Sequence, residues 1–189
     1  MEESRTMDSK QMMKGATKNL LLQGQKTERL IFRKFLPSDF DAWLPFHEDP
    51  RSSQYWDGLP QDPRIACEEL FKGLFERYDN NLGGMNALIH KDTGALIGMA
   101  GLLTQTVDEI REMEIGYSVL PEYWKKGYAT EASIKCKDYA FEKRLTDSLI
   151  SIIHIDNTPS QKIAMNNGMS LDKTTTYKDN PVHIFRIDL

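Results

Sequence analysis

Along this chain the spacing of apolar residues switches between two periods, and each switch marks an element. The segment Arg29-Leu-Ile-Phe-Arg-Lys-Phe35 reads as a short strand. Pro37-Ser38-Asp39 carries a helix-start signature, and Phe40, Trp43 and Leu44, with His47, share one face of a helix reaching about residue 48. Three prolines (Pro50, Pro60, Pro63) and a glycine make residues 49–63 a loop. A helical stripe of Ile65, Leu70, Leu74 and Tyr78, flanked by Cys67 and Phe71, covers residues 65–78.

After Gly83-Gly84 the period drops to two. Residues 86–90 and 95–106 read as a hairpin about Asp92-Thr93-Gly94, and residues 109–120 as the next strand. Within it Met113, Ile115, Tyr117 and Val119 alternate with Glu112, Glu114, Gly116 and Ser118, which predicts two unlike faces. Helical spacing returns over 127–143, with Ala129, Ala132, Cys136, Tyr139 and Ala140 inward. Residues 149–155 are almost continuously apolar, as in a strand covered on both faces. A helix over 159–167 ends at Gly168, a left-handed terminator, and strands at 170–177 and 182–188 follow, joined at Asp179-Asn180-Pro181.

This order begins antiparallel and contains one strand–helix–strand crossover, which should be parallel and right-handed. It predicts an α/β (α+β) protein. Its core is a mixed, mostly antiparallel twisted sheet of about six to seven strands with helices on both faces. Ligands of such sheets bind where the carboxyl ends of parallel strands diverge. That point is the end of strand 109–120.

The chain is long enough for one domain, expected over residues 27–189. Residues 1–26 form an extension, with five basic residues against three acidic. Met12, Met13, Ala16 and Leu20 lie at helical spacing there, so a short docked helix and a flexible tail are both open. A net charge of −4 offers no general attraction to nucleic acid or an anionic membrane. No apolar run approaches the roughly 20 residues needed to span a bilayer, and no signal-peptide region is seen, so the expected location is the cytoplasm. Cys67 and Cys136 have no metal-ligand or disulfide spacing, and no metal site is expected.

The stretch Tyr123-Trp-Lys-Lys-Gly-Tyr-Ala-Thr-Glu-Ala132 sits where the crossover helix begins. The exposed amides of a helix start carry the positive end of its dipole, and a loop there can turn them onto a phosphate. Gly127 and Ala129 would permit close approach, and Lys125 and Lys126 would add charge at the rim. A plain strand-to-helix turn with a solvated basic rim accounts for the same residues. Other phosphate loops are absent: there is neither a Gly-x4-Gly-Lys-Ser/Thr nor a Gly-x-Gly-x-x-Gly sequence.

Residues 114–132 resemble the acetyl-CoA-binding core of the GNAT-type N-acetyltransferases, in the branch resembling enzymes that acetylate ribosomal-protein N-termini. The family's Gln/Arg-x-x-Gly-x-Gly/Ala loop is matched by Trp124, Gly127 and Ala129, with Trp in the first place as in that branch. Its Asn-x-x-Ser…Gly-Phe segment is matched by Asn157, Ser160 and Gly168, with Met169 replacing the Phe. Thr27–Arg33 is similar to the branch's first strand. Lys125 departs from the small residue frequent at its position.

The resemblance implies the acyl-CoA N-acyltransferase fold, acetyl-CoA as co-substrate, and direct acetyl transfer to an amine through a tetrahedral intermediate. It implies cofactor contacts from Ser118, Val119 and Leu120, from Lys125, Lys126, Gly127, Tyr128, Ala129 and Thr130, and from Asn157 and Ser160. A splay between strands 109–120 and 149–155 would free amides near Val119 for the thioester carbonyl. Glu114 is the implied general base and Ser160 the acid near the sulfur. An ordinary strand glutamate and a first-turn capping serine are the bland alternatives. His154 could also take protons, or only pack. Tyr55, Trp56 and Asp57 would line the acceptor side, where the acceptor is a small-molecule amine or a protein N-terminus. The expected assembly is a monomer or homodimer. A non-catalytic acyl-CoA-binding module of the same fold, or an interaction protein in which the basic loop is decoration, would carry much of the same pattern.

Overall fold

In a computed structural model, residues 20–189 are described. The Met12, Met13 and Ala16 spacing lies outside the described residues. Seven strands form one sheet in the order β1-β2-β3-β4-β5-β7-β6. They are β1 (Leu30–Arg33), β2 (Gly83–His90), β3 (Leu96–Val107), β4 (Ile110–Val119), β5 (Ser148–His154), β6 (Ser170–Tyr177) and β7 (Asn180–Asp188). Every neighbouring pair is antiparallel except β4 with β5, which is parallel, as the single crossover requires. The crossover helix is α4 (Tyr128–Glu142), and α5 (Thr158–Asn166) follows β5. The helices α1 (Phe40–Glu48), α2 (Pro50–Ser53) and α3 (Pro63–Asp79) precede β2.

Alternation along the strands sorts the core into layers. On one face Ala87 and Met99 meet Trp43 of α1 and Cys67, Phe71 and Leu74 of α3. On the other, Leu88, Ile97, Ile115, Val119 and Leu149 meet Ala132, Cys136, Tyr139 and Ala140 of α4, with Ala164 of α5. Helices therefore cover both faces. Met169, in the place of the aromatic residue, is buried with its sulfur 3.5 Å from the Ser151 hydroxyl. A third cluster, Val107, Ile150, Ile152, Val182 and Ile184, is capped by Trp56 and Tyr177.

The segment before β1 belongs to this core. Leu22 is fully buried in the α4-side cluster, and its amide donates to Asn86 Oδ1 at 3.1 Å. Lys26 pairs with Ile31 in an isolated bridge.

Three details differ from the periodicity. Ile65 is 49% exposed, because α3 turns Ala66, Cys67, Phe71 and Leu74 inward instead. The loop 49–63 contains the one-turn helix α2, capped by Asp49, whose side chain accepts from the Arg51 amide. The last turn lies at Lys178-Asp179, not at Asp179–Pro181. Both residues have positive φ, 48° and 62°, as a two-residue hairpin of this twist demands. Asn180 and Pro181 already pair with Tyr177 and Thr176.

Candidate active site

The parallel junction is narrow. β4 and β5 are in register at Glu114 and Ile150, and beyond it the Ser151 hydroxyl reaches the Ile115 carbonyl at 3.0 Å. The Leu120 amide donates to Ile97 of β3, so by alternation the amides of Tyr117 and Val119 face the opening towards β5. The Val119 carbonyl takes the Trp124 indole N–H at 2.6 Å, which fixes the first residue of the loop against the strand end. The expected splay is present, with Val119 at its rim.

The loop itself is built around two left-handed residues. Gly127, the N-cap of α4, has φ +82°, and Lys125 has φ +60°. Lys125 therefore occupies a backbone position in which glycine is free of strain. That gives a physical meaning to the small residue frequent there. No side chain caps α4, whereas Asp49, Asp62 and Asn157 cap α2, α3 and α5. The amides of Tyr128, Ala129 and Thr130 thus have no partner among the described residues, and they form a cradle for an anion. A Cβ at Gly127 would stand 3.4 Å from an Arg29 nitrogen, so the Arg29 guanidinium borders the cradle. The residues present fit a pyrophosphate.

Behind the loop lies a clamp that the motif does not contain. Glu131, in the first turn of α4, accepts from the Thr27 hydroxyl at 2.5 Å, the Arg29 amide at 2.9 Å and Arg29 Nε at 2.6 Å. Burial pushes the Glu131 carboxyl upward, but these donors outweigh it and hold it below its ordinary value. Thr27 and Arg29 belong to the stretch similar to the branch's first strand, which is the signal that could have found them. Tyr128 is buried beneath the Arg29 guanidinium, 4.2 Å from its ring centre.

Across the wedge, Asn157 caps α5 by accepting from the Ser160 amide at 3.2 Å. Ser160 is thus capped rather than capping, and its side chain lies within hydrogen-bond reach of the Tyr117 phenol. Its carbonyl accepts from the Tyr117 hydroxyl at 2.9 Å, a strut from β4 to α5. Burial pushes the Tyr117 phenol well up, so it stays protonated and the strut holds. Alternation marks Tyr117 only as core, and nothing in the sequence signals the strut.

Glu114 lies on the α3 side of β4, as its alternation predicts. Burial raises its carboxyl above the ordinary glutamate range, opposed by a hydrogen bond from Gln105, the Ile152 amide, and the charges of Arg77 and Lys178. Tyr177 shares that environment. His154 packs 6.2 Å from the Tyr55 ring, and its Nδ1 accepts from the Asp156 amide.

The expected acceptor residues lie over the end of β5 and the start of β7. Trp56 packs on the third cluster, and the Asp57 amide donates to Asn180 Oδ1 at 2.8 Å. At the other end of this segment Arg51 lies 5.3 Å over the Trp124 ring. The segment therefore bridges from the loop that starts at Trp124 to the β6–β7 hairpin. A cleft of about 300 Å³ opens beside it, lined by Pro45, Asp49, Arg51, Leu120, Pro121 and Glu122.

Among known proteins, residues 29–170 match the family model described as the acetyltransferase (GNAT) domain. The uncharacterized N-acetyltransferase p20 of Bacillus licheniformis is 28% identical over 153 residues, covering 81% of this chain and 84% of that one. An acetyltransferase of Agrobacterium tumefaciens superposes with a TM-score of 0.74 at 25% identity, covering 87% of this chain and 94% of that one. The ribosomal L7/L12 alpha-N-protein acetyltransferase RimL, in complex with coenzyme A, shares the fold with a TM-score of 0.69 at 13% identity, covering 89% and 98%. The chain belongs to the GNAT acetyltransferase family. It is an acetyltransferase, and the wedge and uncapped helix described above lie where its fold diverges. Among the described residues no helix is long and apolar enough to cross a membrane.

Proposed function

We propose that this chain transfers the acetyl group of acetyl-CoA directly to a primary amine. The observation that carries this reading is the open wedge: the parallel pair β4–β5 parts beyond Glu114 and Ile150, with the uncapped, left-handed start of α4 at its mouth. The cradle at Gly127–Thr130 would take the pyrophosphate, with Lys125 and Lys126 at its rim. Ser118, Val119 and Leu120 flank the pantetheine arm, and the Val119 amide is available to the thioester oxygen. Asn157 fixes α5 beside it. A coenzyme A complex of a fold neighbour supports the same co-substrate.

The chemistry requires an amine without its extra proton. Glu114, with a raised proton affinity, accepts that proton directly or through one water. The amine nitrogen bonds to the acetyl carbon, giving a tetrahedral intermediate whose negative oxygen meets the Val119 amide. The carbon–sulfur bond then breaks, the departing thiolate takes a proton from the Ser160 hydroxyl, and the proton released by the new amide nitrogen is passed on to restore that hydroxyl. Trp56, Tyr55 and Asp57 with the Tyr177 hairpin would bound the acceptor, and a protein N-terminus fits the branch the sequence resembles.

Thermal unfolding tests the reading. At coenzyme A about 100-fold above its Kd, binding adds roughly 2.7 kcal/mol. For a chain of this size that raises Tm by about 5–10 °C. An unmoved Tm at millimolar coenzyme A would overturn it. Release of free thiol across a panel of amines and peptides then identifies the acceptor.

A further inference from the structure

The phosphate loop owes its shape to a residue from outside its own motif, and that residue has a donor to spare. Arg29 lies just ahead of β1. Its guanidinium is held on three sides: Nε donates to Glu131 Oε2 at 2.6 Å, Nη1 donates to the Lys126 carbonyl at 2.9 Å, and its flat face lies 4.2 Å over Tyr128. Nη2 has no partner among the described residues. It lies 3.4 Å from where a Cβ on Gly127 would stand, at the left-handed cap of α4.

We infer that Arg29 is a ligand of the co-substrate's pyrophosphate, an inference that rests on the acetyl-CoA reading above. A guanidinium devoted to one carboxylate makes two parallel N–H···O bonds to its two oxygens. Here Glu131 takes Nε and the backbone amide instead, which leaves a terminal nitrogen facing the cradle. The side chain is already held by three contacts before any ligand arrives, so less rotamer freedom is left to lose on binding. Its charge has a second use. Glu131 stands in the first turn of α4, where an uncompensated carboxylate would repel a phosphate. Arg29 offsets its charge and Thr27 satisfies its other oxygen, so the helix-start amides and Lys125 and Lys126 remain to draw an incoming anion. Lysine could supply the charge but not the three directed contacts of the planar fork.

Equilibrium binding of coenzyme A, 3′-dephospho-coenzyme A and pantetheine to the full chain and to Arg29→Lys and Arg29→Gln tests this. Both variants should bind coenzyme A and its dephospho form about ten-fold or more weakly, with pantetheine affinity unchanged. Arg29→Lys keeps a cation for Glu131 while giving up the fork's other contacts, and an unchanged Tm in that variant shows that the fold is kept. Unchanged coenzyme A affinity in Arg29→Lys would overturn the assignment. So would an equal loss for pantetheine, which marks a structural strut, or a loss confined to coenzyme A, which marks a 3′-phosphate contact. If the unaltered chain binds none of the three, the acetyl-CoA reading itself fails, and that result is separate from the behaviour of the variants.

Discussion

Gln105 and Glu114 face each other diagonally across β3 and β4, and Nε2 of Gln105 donates to Oε2 of Glu114 at 2.7 Å. This bond steadies the charged carboxylate against the burial that disfavours it. The acidic limb of the pH–activity profile should therefore lie above the ordinary glutamate value of about 4.3. Gln105→Leu removes a stabilising donor and should move that limb to higher pH. Profiles of kcat/KM for the two proteins check it, and superimposable limbs would mean that Glu114 is not the titrating base.

Replacing Glu114 itself should separate activity from stability. Glu114→Gln should lower kcat by roughly 10²–10⁴-fold. The folded-state proton affinity is raised, so the native chain keeps a proton that the unfolded chain has already released as pH rises past the ordinary value. The group's favourable contribution is present below that value and is lost as pH climbs through the raised one. The variant lacks this loss, so its stability relative to the parent should improve from pH 4 to pH 8. Urea midpoints at the two pH values measure the difference.

Gly127→Val should keep the fold and lose the co-substrate. A β-branched residue at φ +82° carries strain of about 1–3 kcal/mol. Its branched side chain would stand in contact with Arg29 Nη2, where the anion is to sit. The coenzyme A-induced rise in Tm should disappear. Lys125→Gly is the complementary change: relief of left-handed strain and the greater freedom of unfolded glycine are each about 1 kcal/mol and opposed, so Tm should hardly move.

Thiol reagents should leave activity intact. Burial pushes the Cys67 thiol to about 11 and raises the Cys136 thiol well above its usual range, so neither is a thiolate at pH 8. Cys136 lies buried mid-helix in α4, away from the wedge. Inactivation by iodoacetamide on the native protein, matched by labelling of either cysteine, would contradict direct transfer.

Leu22→Ala should destabilise the chain by about 2–5 kcal/mol, because the side chain is fully buried and leaves a cavity. Denaturant titration reads this directly.

The sheet and its crossover were legible because their signals are local and long. β4 alternates from Glu112 to Val119, β5 is mostly apolar, and the α4 stripe of Ala132, Cys136, Tyr139 and Ala140 is buried as spaced. The loop was legible because backbone geometry confines which residues fit it. The clamp was not: Arg29 and Glu131 are 102 positions apart, and no periodicity links them. Ile65 misled because apolar spacing fixes a stripe only to within a residue, and the prolines near α2 hid a single turn capped by Asp49. The Lys178-Asp179 turn escaped because neither residue is one that left-handed backbone favours most.

The parallel seam between β4 and β5 has a mechanical meaning. The sheet amounts to two stiff antiparallel plates, β1–β4 and β5–β7, hinged along a short line and propped by the Tyr117 strut. Pulled apart, such a body yields first along that line, ahead of either plate. A molecule lodged between the plates rivets them, so a force-extension trace should show the opening peak rise with ligand while the later peaks stay in place.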